Sequence, residues 1–290
     1  MLFGAQVRSA GGLPTALARG EAMGAEVVQV FTQSPRTWRP TPHDPAELAA
    51  YPERQRAGPV VVTTYCHATY LINLATTDPP LYERSWACLV ANLEVAAAIG
   101  ARGLVLHLGS HRGAGLGTVV AHLAEGLLRA VEEVGDACPV LLENTAGAGG
   151  TVGATFEELG TVLDRLGWDP RFGVCLDTQH LWAAGVPYAS LEEADATVAA
   201  LDRAIGLDRL SCLHVNDSKV PLGSRRDRHE NLGAGTIGAD ALASLLGHPR
   251  LQGLPAILEV PGCRDRGPGA DDLHGARAIH RVGVARWASG

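Results

Sequence analysis

The chain has 290 residues, 46% of them hydrophobic and 19% charged, with a formal net charge of −7 at neutral pH. That length and apolar content suffice for one large core and exclude a disordered chain. The acidic balance weighs mildly against a nucleic-acid partner, although net charge says little about any single face.

The opening stretch MLFGAQVRSAGG has no basic segment followed by a long apolar one, so no signal peptide is expected. No apolar run approaches the roughly 20 residues that span a bilayer. The cysteines (Cys66, Cys88, Cys138, Cys175, Cys212 and Cys263) include no CxxC pair. Most sit in or beside apolar runs, as free buried thiols do, which predicts a reduced, cytoplasmic protein.

Eight short apolar runs rich in β-branched residues follow one another: 2–7, 26–32, 59–65, 103–109, 139–145, 173–180, 210–217 and 255–260. Helix-length segments separate most of them, such as 81–100 and 119–135. In the latter, Val120, Leu123, Leu127 and Val131 recur at helical spacing. Runs that are continuously apolar rather than alternating predict strands buried on both faces, as in a parallel sheet. Eight such units predict a (β/α)₈ barrel, a TIM barrel, over residues 1–290 as one domain. The glycines of SAGG, TAGAGG and GAGTIG lack the frame of a phosphate-binding loop, and no nucleophilic triad stands out.

Polar residues punctuate the ends of these runs. His67 follows the third, His107 lies near the end of the fourth and Glu143 ends the fifth. Asp177 ends the sixth with His180 just beyond, His214 ends the seventh with Asp227 and His229 in the following loop, and Glu259 ends the eighth. In a barrel every C-terminal strand end opens on one face, where active sites are built. One histidine after a strand is more often a satisfied loop residue, and Asp177 could simply cap the next helix. Nine such groups in apolar surroundings need a compensating charge. Imidazole and carboxylate donors without thiolate suit zinc or manganese, and nine donors exceed one tetrahedral site, so two or three ions are expected. The loop 214–233 adds four cations: Lys219 (the only lysine in the chain), Arg225, Arg226 and Arg228.

The motifs GAQVRSAGG, FTQSPRTW, HATYLINL, HLGSH, LENTAGAGG, GVCLDTQHLWAAG and HVNDSKVPLGSRRDRHENLGAGTIG, followed by ILEV, run in order from residue 4 to 260. In these the chain resembles the endonuclease IV family of apurinic/apyrimidinic endonucleases, trinuclear-zinc barrels of DNA repair. The resemblance implies a first zinc on His67, His107 and Glu143. A second is implied on Glu143, Asp177, His214 and Glu259, with Glu143 bridging, and a third on His180, Asp227 and His229. It also implies that Arg36, Tyr70 and Leu71 wedge into DNA, while Lys219, Arg225, Arg226 and Arg228 meet phosphates. Departures are Gln6 for a usual histidine, Leu108 for proline, Gln179 for cysteine, and Val260-Pro261 after Glu259.

The implied reaction is hydrolysis of the phosphodiester 5′ to an abasic site in duplex DNA, leaving a 3′-hydroxyl, with Glu143 catalytic and the protein a monomer. Two other readings stand beside it. A metal-dependent sugar isomerase or epimerase on a related barrel would need fewer ligands and no basic loop. A catalytically silent lesion binder would have no use for a bridging Glu143.

Overall fold

The computed structural model describes residues 1–289. Eight parallel strands close into a barrel: β1 (Leu2–Gln6), β2 (Val27–Phe31), β3 (Thr63–His67), β4 (Leu104–Leu106), β5 (Val140–Glu143), β6 (Phe172–Asp177), β7 (Leu210–Val215) and, after the short antiparallel pair β8 (Asp217–Ser218) and β9 (His229–Glu230), β10 (Pro255–Leu258). The strands neighbour one another in chain order, and β10 closes on β1 with Gly4 opposite Ile257. Gly4 is required on the β2 side, where an added Cβ would collide with the Val27 carbonyl.

The outer layer holds α1 (Pro14–Met23), α2 (Pro45–Ala57), α3 (Pro79–Ala98), α4 (Leu116–Val134), α5 (Phe156–Arg165), α6 (Thr178–Ala184), α7 (Leu191–Ala204), α8 (Gly238–Leu246) and α9 (Ala270–Ser289). Local chemistry starts several of them. Asp44 caps α2, Thr155 caps α5, and Ser190 with Glu193 forms a capping box on α7. Val120, Leu123, Leu127 and Val131 lie on the buried stripe of α4. Inside the barrel a small cluster that includes Val27, Tyr65, Val105, Leu141, Cys175, Cys212 and Ile257 fills the lumen below the site. Five of the six cysteines are buried and free; Cys263 is exposed and free.

All eight expected strands form, with shifted edges. The third begins at Thr63 rather than residue 59, because Pro59 has no N–H and Val62 is turned outward to solvent. The sixth stops at Asp177 rather than residue 180, because Asp177 starts a helix there. The β8–β9 pair lies inside what reads as one loop, with Asp217 opposite Glu230 and Ser218 opposite His229. Among the described residues no helix is long and apolar enough to cross a membrane.

Candidate metal centre

Glu143 ends β5 with its carboxylate fully buried. Four imidazoles from four other segments surround it. Its Oε2 is 3.3 Å from His67 Nε2 at the end of β3 and 3.2 Å from His107 Nε2 just past β4. Its Oε1 is 2.9 Å from His214 Nδ1 on β7 and 3.5 Å from His180 Nδ1 on α6. Glu259, just past β10, places Oε2 3.3 Å from the same His214 Nδ1.

The outer part of the cluster is built on Asp227. Its two oxygens lie 3.4 Å from His180 Nε2 and 3.3 Å from His229 Nε2. Asp177 stands beside both histidines, 3.7 Å from His180 Nδ1 and 3.9 Å from His229 Nε2. The nine side chains expected from the sequence therefore meet on one barrel face. Three groupings bring their ligand atoms within 4.8 Å of one another: His67, His107 and Glu143; Glu143, Asp177, His214 and Glu259; and Asp177, His180 and His229. The third includes Asp177 where Asp227 was expected, and the Asp227 distances show that both carboxylates face that pair.

Neighbouring groups fix the rings. His67 Nδ1 donates to the Ala68 carbonyl at 2.6 Å, which leaves Nε2 for Glu143. Asn144 holds Asp177 through both ends of its amide, accepting from the Asp177 N–H at 2.6 Å and donating to its carbonyl at 3.1 Å. Asn216 Nδ2 donates to Asp177 Oδ2 at 2.6 Å, and its Oδ1 accepts from the Glu259 N–H at 3.0 Å. Asn144 directly follows Glu143 and Asn216 lies two residues past His214, both within the quoted motifs, and no local signal in the sequence marks either one.

So many buried ionisable groups perturb one another. Burial alone would raise the Glu143 carboxyl, but His107 and His214, with hydrogen bonds from His180 and His214, hold it well below the usual range. Burial opposes a charge on His214, yet Glu259 and Glu143 outweigh it and push its pKa up to about 10. His180 is raised as well, by Asp177, Asp227 and Glu143 against the cost of burial. His107 goes the other way, to about 4, because burial, with the neighbouring His67 and His180, outweighs the pull of Glu143 and Asp227. A site that draws protons onto buried imidazoles is one that demands positive charge.

A cation other than a proton fits. His229 Nε2 is buried with no hydrogen-bond partner, although it points toward Asp227 and Asp177. Imidazole and carboxylate donors match a hard or borderline divalent ion. Cys175 also lies within reach of Glu143 and His214, but burial and Cys212 raise its thiol well above the ordinary range, so it remains neutral.

Around the cluster lie the residues expected to meet a partner. Tyr70 is 52% exposed, its ring 5.5 Å from that of His67. Tyr70, half-buried Leu71 and Trp38 line a cavity of about 550 Å³ that reaches His107, His180 and Asp227. Arg36 is exposed on the loop after β2, near Tyr70. Lys219, Arg225, Arg226 and Arg228 are all exposed between β8 and β9. Their backbone is pinned: Arg225 N–H donates to the Ala183 carbonyl at 2.9 Å, and the Lys219 N–H to the Arg228 carbonyl at 2.9 Å. Gln179, at the position where the family usually has cysteine, donates to the Arg226 carbonyl at 3.0 Å and so ties this basic loop to α6.

A family model described as the xylose isomerase-like TIM barrel matches residues 17–279. The chain is similar to the probable endonuclease 4 of Chloroflexus aggregans, with 39% identity over 287 residues covering 98% of this chain and 99% of the relative. It is 42% identical to the probable endonuclease 4 of Halorhodospira halophila over 262 residues, 89% of this chain and 88% of that one. The crystal structure of endonuclease IV from Thermus thermophilus matches with a TM-score of 0.83 and 35% identity over 99% of this chain and 100% of that chain. By sequence and by architecture, the chain belongs to the endonuclease IV family.

Proposed function

We propose that this chain is a metal-dependent hydrolase that cuts the phosphodiester 5′ to an abasic site in duplex DNA and leaves a 3′-hydroxyl. The observation that carries this is Glu143, one buried carboxylate with histidine nitrogens facing both of its oxygens. Three zinc ions would be held as the family resemblance implies. The first takes His67, His107 and Glu143. The second takes Glu143, Asp177, His214 and Glu259, and the third His180, Asp227 and His229. Manganese is the alternative ion for the same donors. Bound there, divalent ions would polarise the phosphodiester as Lewis acids and offset the charge that develops on it.

The rest is the work of the chain's own side chains. Glu143 spans two of the groupings and sets the spacing between them. Lys219, Arg225, Arg226 and Arg228, on a backbone pinned beside the site, supply positive charge for the flanking phosphates. Arg36 does the same beside Tyr70. Tyr70 and Leu71 stand at the mouth of the cavity, where a planar and an apolar group can enter the gap left by a missing base and keep the sugar out of the stack. The overall negative charge does not oppose this, because Lys219, Arg225, Arg226 and Arg228 are exposed on the loop that carries Asp227 and His229.

The test is a duplex carrying one abasic analogue, incubated with the purified protein with and without a strong chelator. The expected product is a nick 5′ to the lesion with an extendable 3′ end, lost on chelation and restored by zinc. Turnover of free sugars without any nick would turn the assignment toward an isomerase. Tight lesion binding without cleavage by the zinc-loaded protein would make it a damage binder.

A further inference from the structure

Gln29 is a fully buried amide in the middle of β2, flanked by Val28 and Val30. Its Oε1 is 2.9 Å from His214 Nε2. Its Nε2 lies 2.7 Å from Glu259 Oε1 and 2.9 Å from Gln6 Oε1. We propose that Gln29 is a positioning residue of the metal centre, fixing the His214 ring and the Glu259 carboxylate so that their remaining donor atoms face inward. This rests on the metal-centre reading above.

The three bonds leave the amide one orientation. An ionised carboxylate only accepts, so Glu259 must be met by the NH₂ end. The second hydrogen of that NH₂ goes to Gln6 Oε1. The oxygen end is then turned to His214, whose Nε2 must donate. A reversed amide would set oxygen against the Glu259 carboxylate and against the Gln6 oxygen, and N–H against N–H at His214. Gln6, on β1, thus locks Gln29 from the far side.

The consequence lies on the other side of the ring. With Nε2 carrying hydrogen, the neutral imidazole presents its lone pair from Nδ1. That nitrogen faces Glu143 Oε1 at 2.9 Å and Glu259 Oε2 at 3.3 Å. Two carboxylate oxygens and a lone pair all accept, so the position between them calls for a cation. Gln29 touches none of that space but decides which atoms line it. A hydrogen-bond partner on the far nitrogen of a ligating histidine is a general way of holding ring and tautomer.

Gln29→Met keeps the length of the side chain without either end of the dipole. Zinc-loaded wild type and variant are challenged with increasing chelator, the retained metal is counted, and melting of both stripped proteins is recorded. The variant is expected to surrender one ion at a roughly 10–100-fold lower chelator concentration, while the two stripped forms melt alike. Equal retention in a wild type that does hold zinc overturns the role of Gln29 alone. A wild type that takes up no zinc overturns the metal centre itself. A stripped variant that melts far below stripped wild type, with zinc retention unchanged, makes Gln29 structural and also overturns the proposal. Should Gln29→Met not fold, Gln29→Glu preserves the acceptor for His214 but opposes Glu259, and the same loss of metal is expected.

Discussion

Asp177 and His180 are joined twice: Asp177 Oδ1 accepts the His180 backbone N–H at 2.7 Å, and the same oxygen lies 3.7 Å from the His180 ring nitrogen Nδ1. The carboxylate that starts α6 is therefore also part of the cluster that α6 helps to build. Asp177 thus both caps a helix and belongs to two groupings of imidazole and carboxylate donors. Oδ2 takes the Asn216 amide and faces His229.

Glu143→Gln should cost the nicking rate far more than the roughly 10–100-fold typical of a lost outer-shell partner. The amide keeps the shape of the side chain but loses the charge that four imidazoles face. Affinity for an abasic duplex, measured by mobility shift, should change much less, since the exposed cations remain. Equal losses in rate and affinity would remove Glu143 from the catalytic role.

Zinc uptake should release protons at neutral pH. In the ion-free site His214, with a pKa of about 10, and His180, also raised, both carry an extra proton at pH 7, whereas His107, at about 4, carries none. A metal needs the neutral ring, so loading should expel about two protons. Raised values mean the proton competes more strongly as pH falls, so apparent zinc affinity should weaken from pH 8 to pH 6. Calorimetry in buffers of different ionisation enthalpy reads the number directly, and uptake with no proton release would contradict this balance.

Tyr70→Ala should lower kcat/KM on an abasic duplex by roughly tenfold or more, since base stacking on an aromatic side chain contributes about 1–3 kcal/mol. Melting temperature should hardly move, because Tyr70 is 52% exposed. Tyr70→Phe should keep most of the activity. A Tyr70→Ala protein that cuts normally would leave the ring as loop packing.

Asp217→Asn tests the loop that carries Asp227 and His229. Buried Asp217 accepts from the backbone N–H groups of Ser218, Gly233, Gly235, Ile237 and Gly238 at 2.7 to 3.3 Å. An amide offers one accepting end where the carboxylate offered two, so unfolding free energy should fall by roughly 3 kcal/mol. Denaturant unfolding would show this, with metal content falling in parallel. Wild-type stability in the variant would mean the loop is held by something else.

Gln29 and Asp217 also mark where reading the chain stops short. Both were visible as polar residues within apolar stretches, yet nothing local says what a buried amide or carboxylate will meet. Gln29 finds Glu259 across 230 positions of chain. Asp217 serves a turn that closes some twenty residues later, and only the folded loop aims those N–H groups at it.

Composition and apolar periodicity by themselves determined the eight strands, their parallel arrangement and the face on which nine ligand-type residues collect, because burial on both faces leaves few other ways to satisfy the pattern. Tertiary structure alone decided that His180 also faces Glu143, that Asp177 serves two groupings, and which nitrogen of each histidine turns inward. Those choices depend on distances between strand ends far apart in sequence and on the hydrogen bonds that close around each ring, and neither exists until the barrel is shut.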